Sequence, residues 1–262
     1  MHAEIKVAAN SNVGLVRAHN EDSFMTGQHV WAVADGMGGQ AAGGMASRIA
    51  IDCLAGRDRL GPLDQEELTS LLGRINHEIL AYGVGHPSAA GLGTTIAGIA
   101  LVAMGGLHHW LVFHIGDSRV YRLTDGRLIL ETIDHSEVQS LMNQGVISAA
   151  EARSHPKRNV LNRCLGSRQV PKADMRLIPY CPGDRLLICS DGLTTEVPDD
   201  MTEAVLLSAP EPKDAVDELV GGALARGGRD NITVIVVDAG AAVGDTTDDS
   251  LGDTLPTPIL GR

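Results

Sequence analysis

Closely spaced strand-like segments separated by tight turns constrain the fold of this chain more than any other feature. Between residues 94 and 132, four apolar segments follow one another, and the dipeptides Gly105-Gly106 and Asp125-Gly126 lie between them. Such dipeptides favour the two-residue turns of antiparallel hairpins, whereas parallel strands need a longer crossover. The pattern therefore predicts antiparallel β-structure rather than β-α-β units.

Outside this region the sequence predicts both further strands and helices. Asp64, followed three residues later by Glu67, is typical of a capped helix N-terminus. The further strands are predicted at 5–9, 22–34 (with a turn at Gly27), 174–179, 184–189 and 231–237. The helices are predicted at 40–54, 64–82, 135–152, 199–208 and 212–226.

Charge and composition exclude several classes of partner. The chain has 21 basic and 33 acidic residues, a formal net charge of -12, and only 3% aromatic residues. An acidic chain with few aromatic rings is unsuited to binding nucleic acid or an anionic membrane surface. No apolar run has the length of a membrane span, and the N-terminus lacks the pattern of a secretory signal. We therefore expect a cytoplasmic, monomeric protein with no nucleic-acid or membrane partner.

Four aspartates lie at the ends of apolar strand-like segments. Asp35 follows HVWAVA, Asp117 follows LVFHIG, Asp191 follows DRLLICS, and Asp230 precedes NITVIVV. Carboxylates that converge at one sheet edge repel one another unless cations neutralise them, and oxygen-rich clusters favour Mg²⁺ or Mn²⁺. A single Asp-Gly is more often a turn than a ligand. Spacing alone leaves both interpretations open.

A basic residue precedes two further carboxylates near the N-terminus. Arg17 stands four residues before Glu21 and five before Asp22. The planar fork of a guanidinium can bind two oxygens of a phosphate. The competing interpretation is a surface salt bridge near the start of a strand.

Taken in order, the motifs resemble the bacterial form of the metal-dependent protein phosphatase family, type 2C. The matching strings, between about residues 5 and 238, are VRAHNEDSF (16–24), VADGMGGQAAGGMAS (33–47), GLGTTIAGIAL (91–101), HIGDSRVYRL (114–123), DHSEVQSLMNQG (134–145), SHPKRNVLNRCLG (154–166), LLICSDGL (186–193) and RDNITVIVV (229–237). The resemblance implies an α+β fold, an α-β-β-α sandwich of two antiparallel sheets flanked by helices. It implies one catalytic domain at 1–239 with a flap at about 135–170, in which His135 is expected to pack. Residues 240–262 are expected to form a disordered acidic tail.

The same resemblance implies a role for each candidate residue. Two Mn²⁺ or Mg²⁺ ions are expected, with Asp35 bridging them, the Gly36 carbonyl binding one, and Asp191 and Asp230 completing the other. Glu21 and Asp22 would hold waters around the metals, and a third, weaker ion would use Asp117 with Asp191. Arg17 would clamp the substrate phosphate, which makes Arg17, Asp35 and Asp191 the expected catalytic residues.

The resemblance implies hydrolysis of phosphoserine and phosphothreonine in proteins by a metal-activated water, opposing a bacterial Ser/Thr kinase. The chain departs from the family where some members have His or Glu: it has Met37, Gln40 and Gly44. Methionine donates no proton, so the general acid is not identified. A non-catalytic phosphoprotein-binding module and a hydrolase of nucleotides or phosphodiesters are the alternatives.

Overall fold

The structure, a computed structural model, describes residues 2–38 and 42–243. The strands are β1 (His2–Asn12), β2 (Asp22–Thr26), β3 (Val30–Met37), β4 (Gly93–Thr94), β5 (Ile96–Met104), β6 (Leu107–Ile115), β7 (Arg119–Thr124), β8 (Arg127–Leu130), β9 (Asp174–Pro179), β10 (Arg185–Cys189) and β11 (Ile232–Val243). The helices are α1 (Ala42–Asp58), α2 (Gln65–Gly85), α3 (Glu137–Asn143), α4 (Ala149–Ser154), α5 (Asp191–Thr194), α6 (Asp199–Ser208) and α7 (Pro212–Ala225).

The strands form two antiparallel sheets. Sheet A has the order β1-β11-β10-β7-β8, and sheet B has the order β2-β3-β5-β6-β9, with β4 paired to β3. The predicted hairpins are confirmed: β5 pairs with β6 and β7 pairs with β8. Their turn residues have positive φ angles, 58° and 81° at Gly105 and Gly106, and 48° and 72° at Asp125 and Gly126. Positive φ at both central residues matches the right-handed twist of the strands.

Alternation along the strands divides the apolar side chains among three cores. In β3, Trp31 and Val33 enter the core between the sheets, whereas Val30, Ala32 and Ala34 belong to the core that contains α1 and α2. In sheet A, Leu186 and Ile188 face the other sheet, while Leu187 and Cys189 pack with residues of α6 and α7. Since side chains of a strand alternate between its two faces, each sheet is covered on both sides. The predicted α-β-β-α sandwich is confirmed.

Local signals account for some helix boundaries. Asp64 accepts a hydrogen bond from the backbone N–H of Glu67 at 2.8 Å, and the Glu67 side chain accepts one from the N–H of Asp64 at 3.1 Å, as predicted. The single helix predicted at 135–152 is instead two, α3 and α4. Gly145, with φ of 69°, follows α3, and Ser148 caps α4. A left-handed glycine is a common helix terminator.

The strands at the beginning and end of the described chain are longer than predicted. β1 pairs with β11 from His2 opposite Val243 to Asn12 opposite Ile232. The added residues are mostly small or polar, so their apolar pattern is weak, but backbone pairing needs no particular side chain. Residues 240–243 therefore belong to β11. The remainder of the predicted tail and Gln40 lie outside the described residues.

Replacing Trp110, which is 0% exposed and lies in the core between the sheets, tests the importance of this layer. We expect Trp110→Ala to lower the free energy of unfolding by about 3–5 kcal/mol, because it leaves a large cavity. The measurement is urea denaturation, and Leu60→Ala is the control because Leu60 is 80% exposed. A loss equal to that of the control would contradict the expectation.

Candidate active site

The predicted carboxylates meet at one end of the sandwich. Asp35 lies in β3, and Asp117 lies between β6 and β7. Asp191 begins α5 one residue after the end of β10, and Asp230 lies just before β11. Burial, followed by the charges of Asp22, Asp191, Asp117 and Asp230, raises the pKa of Asp35 well above its usual value. Because charges act on one another mainly at short range inside a protein, these five carboxylates form one cluster.

Asp22 is the most enclosed member of the cluster. It is 8% exposed and stands opposite Asp35 in the pairing of β2 with β3. Its Oδ2 accepts hydrogen bonds from Ser190 Oγ at 2.8 Å and Thr233 Oγ1 at 2.7 Å, which joins sheet B to sheet A. Burial raises its pKa to about 7, although these two hydrogen bonds oppose the rise.

Asp191 and Asp117 are perturbed in the same direction. Burial and then the charge of Asp230 raise the pKa of Asp191 to about 6, while a hydrogen bond with Asp35 lowers it. Burial, Asp191 and Asp134 raise the pKa of Asp117 well above its usual value. Two carboxyl groups can share a hydrogen bond only when one holds a proton. The cluster therefore retains protons at a pH where separate aspartates would be charged.

Backbone contacts fix the strand that carries Asp35. Its N–H donates to Thr95 Oγ1 at 3.0 Å, and its carbonyl accepts from Thr94 Oγ1 and from the Thr95 N–H, both at 2.9 Å. At Gly36 an added Cβ would collide with the carbonyl of Gly43 at the start of α1. Only glycine permits this close approach of helix and strand.

Arg17 is half-exposed and reaches the carboxylate cluster. Its Nη2 donates to Asp230 Oδ2 at 2.6 Å, and this hydrogen bond raises the pKa of the guanidinium. The charges of Asp191 and Asp35 act on it in the same direction. Its ion-pair partner is thus 213 positions away in the sequence, and it is neither of the neighbouring carboxylates, Glu21 and Asp22. Glu21 joins the site through its backbone, and its buried Oε1 has no hydrogen-bond partner within the part of the chain that the structure describes.

Asn231 organises the site, and the sequence analysis missed it. Its Nδ2 donates to the carbonyls of Val13 at 2.9 Å and His19 at 3.0 Å. Its Oδ1 accepts from the N–H of Glu21 at 2.8 Å. One buried amide therefore fastens the segment that carries Arg17 and Glu21 to the start of β11. The one available signal was its position directly after Asp230. Ser190 and Thr233 were missed as well.

The donor set of the cluster fits hard divalent cations. Its candidate ligands are carboxylate oxygens, with the Gly36 carbonyl beside them, and Mg²⁺ and Mn²⁺ prefer such ligands. Two buried carboxylate oxygens, Glu21 Oε1 and Asp22 Oδ1, have no hydrogen-bond partner among the described residues. Buried carboxylates with raised pKa values and unpartnered oxygens are the groups that a cation would stabilise.

A second group of potential ligands is less suited to a metal. Ligand atoms of His114, His135 and Asp174 lie within 4.8 Å of one another. The two imidazole rings are stacked, with centroids 4.4 Å apart and planes inclined by 20°, so their in-plane lone pairs do not converge on one point. Arg163 Nη1 also donates to Asp174 Oδ1 at 2.7 Å. The aspartate cluster therefore has the more suitable donor set for a divalent cation.

The fold is a sandwich of two sheets, and at one end of it lie an arginine and a cluster of carboxylates. This combination is typical of enzymes that use divalent metal ions. The model of the family described as Protein phosphatase 2C matches residues 16–219. The chain belongs to this family.

Relatives and solved structures agree with this assignment. The chain is 41% identical to the serine/threonine protein phosphatase PstP of Mycobacterium tuberculosis over 98% of its own length and 51% of the relative. It therefore spans about half of that relative. It is 36% identical to the serine/threonine phosphatase stp of Listeria monocytogenes, covering 91% of this chain and 96% of the relative. A crystal structure of the PstP catalytic domain in complex with two manganese ions has a TM-score of 0.82 and 37% identity, covering 92% of this chain and 100% of that one.

Among the residues that the structure describes, no helix has both the length and the apolar character needed to cross a membrane.

Removing divalent metal should make the stability of the protein sensitive to pH. Asp22 and Asp191 have pKa values of about 7 and about 6 in the folded state, against an ordinary value of 3.8. A raised pKa stabilises the fold at low pH, and this contribution is lost as the pH rises through 6 to 7. We therefore expect the Tm in EDTA to fall between about pH 5 and pH 8 through these groups.

Adding Mn²⁺ should reverse that loss, because a bound cation offsets the repulsion between carboxylates. At a free Mn²⁺ concentration of about 100 times Kd, the expected gain is about 2.7 kcal/mol. The gain in Tm should be larger near pH 8 than near pH 5, where protons compete for the ligands. A Tm indifferent to Mn²⁺ at both pH values would contradict this expectation.

Proposed function

We propose that this chain is a protein serine/threonine phosphatase that hydrolyses phosphoserine and phosphothreonine with Mn²⁺ or Mg²⁺ as cofactor. The observation that carries the proposal is the convergence of five aspartates with Arg17 at one end of the sandwich. The names of the relatives support the reaction, and the two manganese ions of the PstP structure support the cofactor. We further propose that it acts in the cytoplasm, as a monomer, against a Ser/Thr kinase.

Each carboxylate has a proposed role in holding the cations. Asp35 and the Gly36 carbonyl, with Asp191 and Asp230, would bind two ions, and Asp117 with Asp191 would bind a third more weakly. Asp22 and Glu21 would accept hydrogen bonds from waters around the ions through the oxygens that have no hydrogen-bond partner in residues 2–38 and 42–243. When bound, the ions supply positive charge for the phosphoryl oxygens and a water acidified enough to attack at neutral pH.

The chain's own residues orient the substrate. The bond from Arg17 to Asp230 uses one N–H, and a guanidinium carries five, so Arg17 can also contact phosphoryl oxygens. Its charge then offsets the charge that these oxygens carry in the transition state. The hydroxyls of Thr94 and Thr95 keep Asp35 in place, and Asn231 keeps the Arg17 segment in place.

Cysteine chemistry does not fit the site. Cys189 lies two residues before Asp191, but burial raises its pKa to about 12. A thiol phosphatase needs a thiolate at neutral pH. This difference favours direct attack by water over a covalent phosphoenzyme. Because Met37 donates no proton, the proton for the leaving oxygen has to come from another group.

Neutralising either central carboxylate tests the proposed reaction. Asp35→Asn and Asp191→Asn should each lower kcat on a phosphothreonine peptide by about 100-fold or more, since a lost metal ligand removes several kcal/mol of transition-state stabilisation. Asp52→Asn, an exposed aspartate of α1, is the matched control. A phosphotyrosine peptide should be a poor substrate, and EDTA should abolish activity.

Two results would contradict the proposal. Full activity in EDTA or in Asp191→Asn would exclude metal-dependent hydrolysis at this cluster. Tight binding of the phosphopeptide without turnover in any divalent metal would instead favour a non-catalytic binding module.

The proposed role of Arg17 makes a separate prediction. Arg17→Ala should lower kcat/KM for the phosphopeptide by about 10- to 100-fold, the value of a charge-assisted hydrogen bond. Arg17→Lys should recover only part of this loss, because it keeps the charge but not the fork. The assay uses saturating Mn²⁺, since Asp230 loses its partner, and exposed Arg59→Ala is the control. An unchanged kcat/KM in Arg17→Ala would exclude a phosphate contact.

A further inference from the structure

The loop that carries Asp117 is held on one side by a single residue. The N–H of Gly116 donates to His135 Nδ1 at 3.1 Å, and the carbonyl of Gly116 accepts from the backbone N–H of His135 at 2.9 Å. Gly116 has a φ of 109°, and an added Cβ would collide with Thr95, so no other residue fits there. Both polar backbone groups of the residue before Asp117 are thus bound by His135.

The other side of the loop is joined to the strand of Asp35. Ser118 Oγ lies 2.7 Å from Thr95 Oγ1, which also accepts the N–H of Asp35 at 3.0 Å. Asp117 therefore stands between two anchored neighbours, Gly116 and Ser118. The distance between Asp117 and the rest of the cluster depends on both anchors.

The ring of His135 is oriented by groups outside the cluster. His135 Nε2 lies 3.3 Å from Asp174 Oδ2 and 3.1 Å from Arg163 Nη1. Because Nδ1 accepts the Gly116 N–H, a neutral ring carries its proton on Nε2, which then donates to Asp174 and cannot accept from Arg163. Burial and then the neighbouring His114 lower the pKa of His135 to about 4, so the ring is neutral at neutral pH. Asp174 is fixed in turn by Arg163 of the predicted flap, and the ring stacks on His114.

We propose that His135 is a positioning residue for the metal site: its Nδ1 holds Gly116 so that Asp117 faces the other carboxylates, and Asp174 with Arg163 orients its ring. This role differs from that of the flap-packing residue expected from the sequence. It also links the flap to a candidate metal ligand through three side chains. The inference rests on the proposed function only in that Asp117 binds a cation.

Two substitutions of His135 separate its two nitrogens. In His135→Asn the amide oxygen can replace Nδ1 and still accept the Gly116 N–H, whereas in His135→Gln the longer side chain can replace Nε2 but not Nδ1. The direct measurement is calorimetric titration of each metal-free variant with Mn²⁺. His77→Gln, an exposed histidine of α2, is the matched control.

We expect His135→Gln to weaken the Asp117-dependent Mn²⁺ binding step by about 10- to 100-fold, the usual cost of losing a residue that orients a ligand. His135→Asn should bind Mn²⁺ close to wild type. In an Asp117→Asn background, His135→Gln should cause no further loss, because its effect passes through Asp117. In the phosphatase assay, His135→Gln should raise the Mn²⁺ concentration for half-maximal rate and keep most of kcat at saturation.

Several outcomes would overturn the inference. These are Mn²⁺ binding by His135→Gln equal to that of His77→Gln, equal losses in the Asn and Gln variants, or an undiminished loss in the Asp117→Asn background. If His135→Gln does not fold, the smaller variant His135→Ala decides, since it too removes the acceptor of the Gly116 N–H. It should weaken the same binding step, and unchanged binding would overturn the inference. Absence of Mn²⁺-dependent phosphatase activity in the wild type would refute the proposed function instead, while the calorimetric comparison would still test His135.

Discussion

The burial of several carboxylates close to one another is the constraint on which this structure depends. Asp22, Asp35, Asp117 and Asp191 all have raised pKa values, and for each the leading cause is burial. Arg17 at Asp230 and the two hydroxyls at Asp22 offset part of this cost, but all four pKa values remain raised. The packing of three apolar cores holds them there, because each carboxylate is attached to a strand or helix end whose position that packing fixes. The folded structure therefore holds these carboxylates close together, and a cation bound among them would relieve their repulsion.

The register of the sheets converts apolar packing into site geometry. Asp22 stands opposite Asp35, and in the same strand Trp31 and Val33 fill the space between the sheets. A slip of one residue would move these side chains to the other face and would turn Asp35 away from the cluster. The hydroxyls of Ser190 and Thr233 then complete the connection between the two sheets at Asp22. The register that packs the core therefore also places the carboxylates of the candidate site.

The sequence predicted the features that have local signals. Hairpin dipeptides, apolar alternation and the Asp64 cap predicted the antiparallel strands and the capped helix. The sandwich itself and the roles of the strand-end aspartates followed from the family resemblance. The sequence analysis did not predict the short helix that begins at Asp191 or the full length of β11, because the apolar period of each is too weak. The break in the helix predicted at 135–152 had a local signal, Gly145, that was not used. Asn231 and His135 act through backbone partners from distant segments, such as His19 and Gly116. Such contacts exist only once the tertiary structure has formed, so no local pattern reveals them.

The packing of Trp31 against Trp110 has an optical consequence. These are the two tryptophans of the chain, and they form an edge-to-face pair with ring centroids 5.7 Å apart. Both are buried between the sheets, at 2% and 0% exposure, so the intrinsic fluorescence of the protein arises from one dry location. Its emission maximum therefore reports whether the two sheets remain in contact, and a quencher dissolved in water reaches the pair only when they separate.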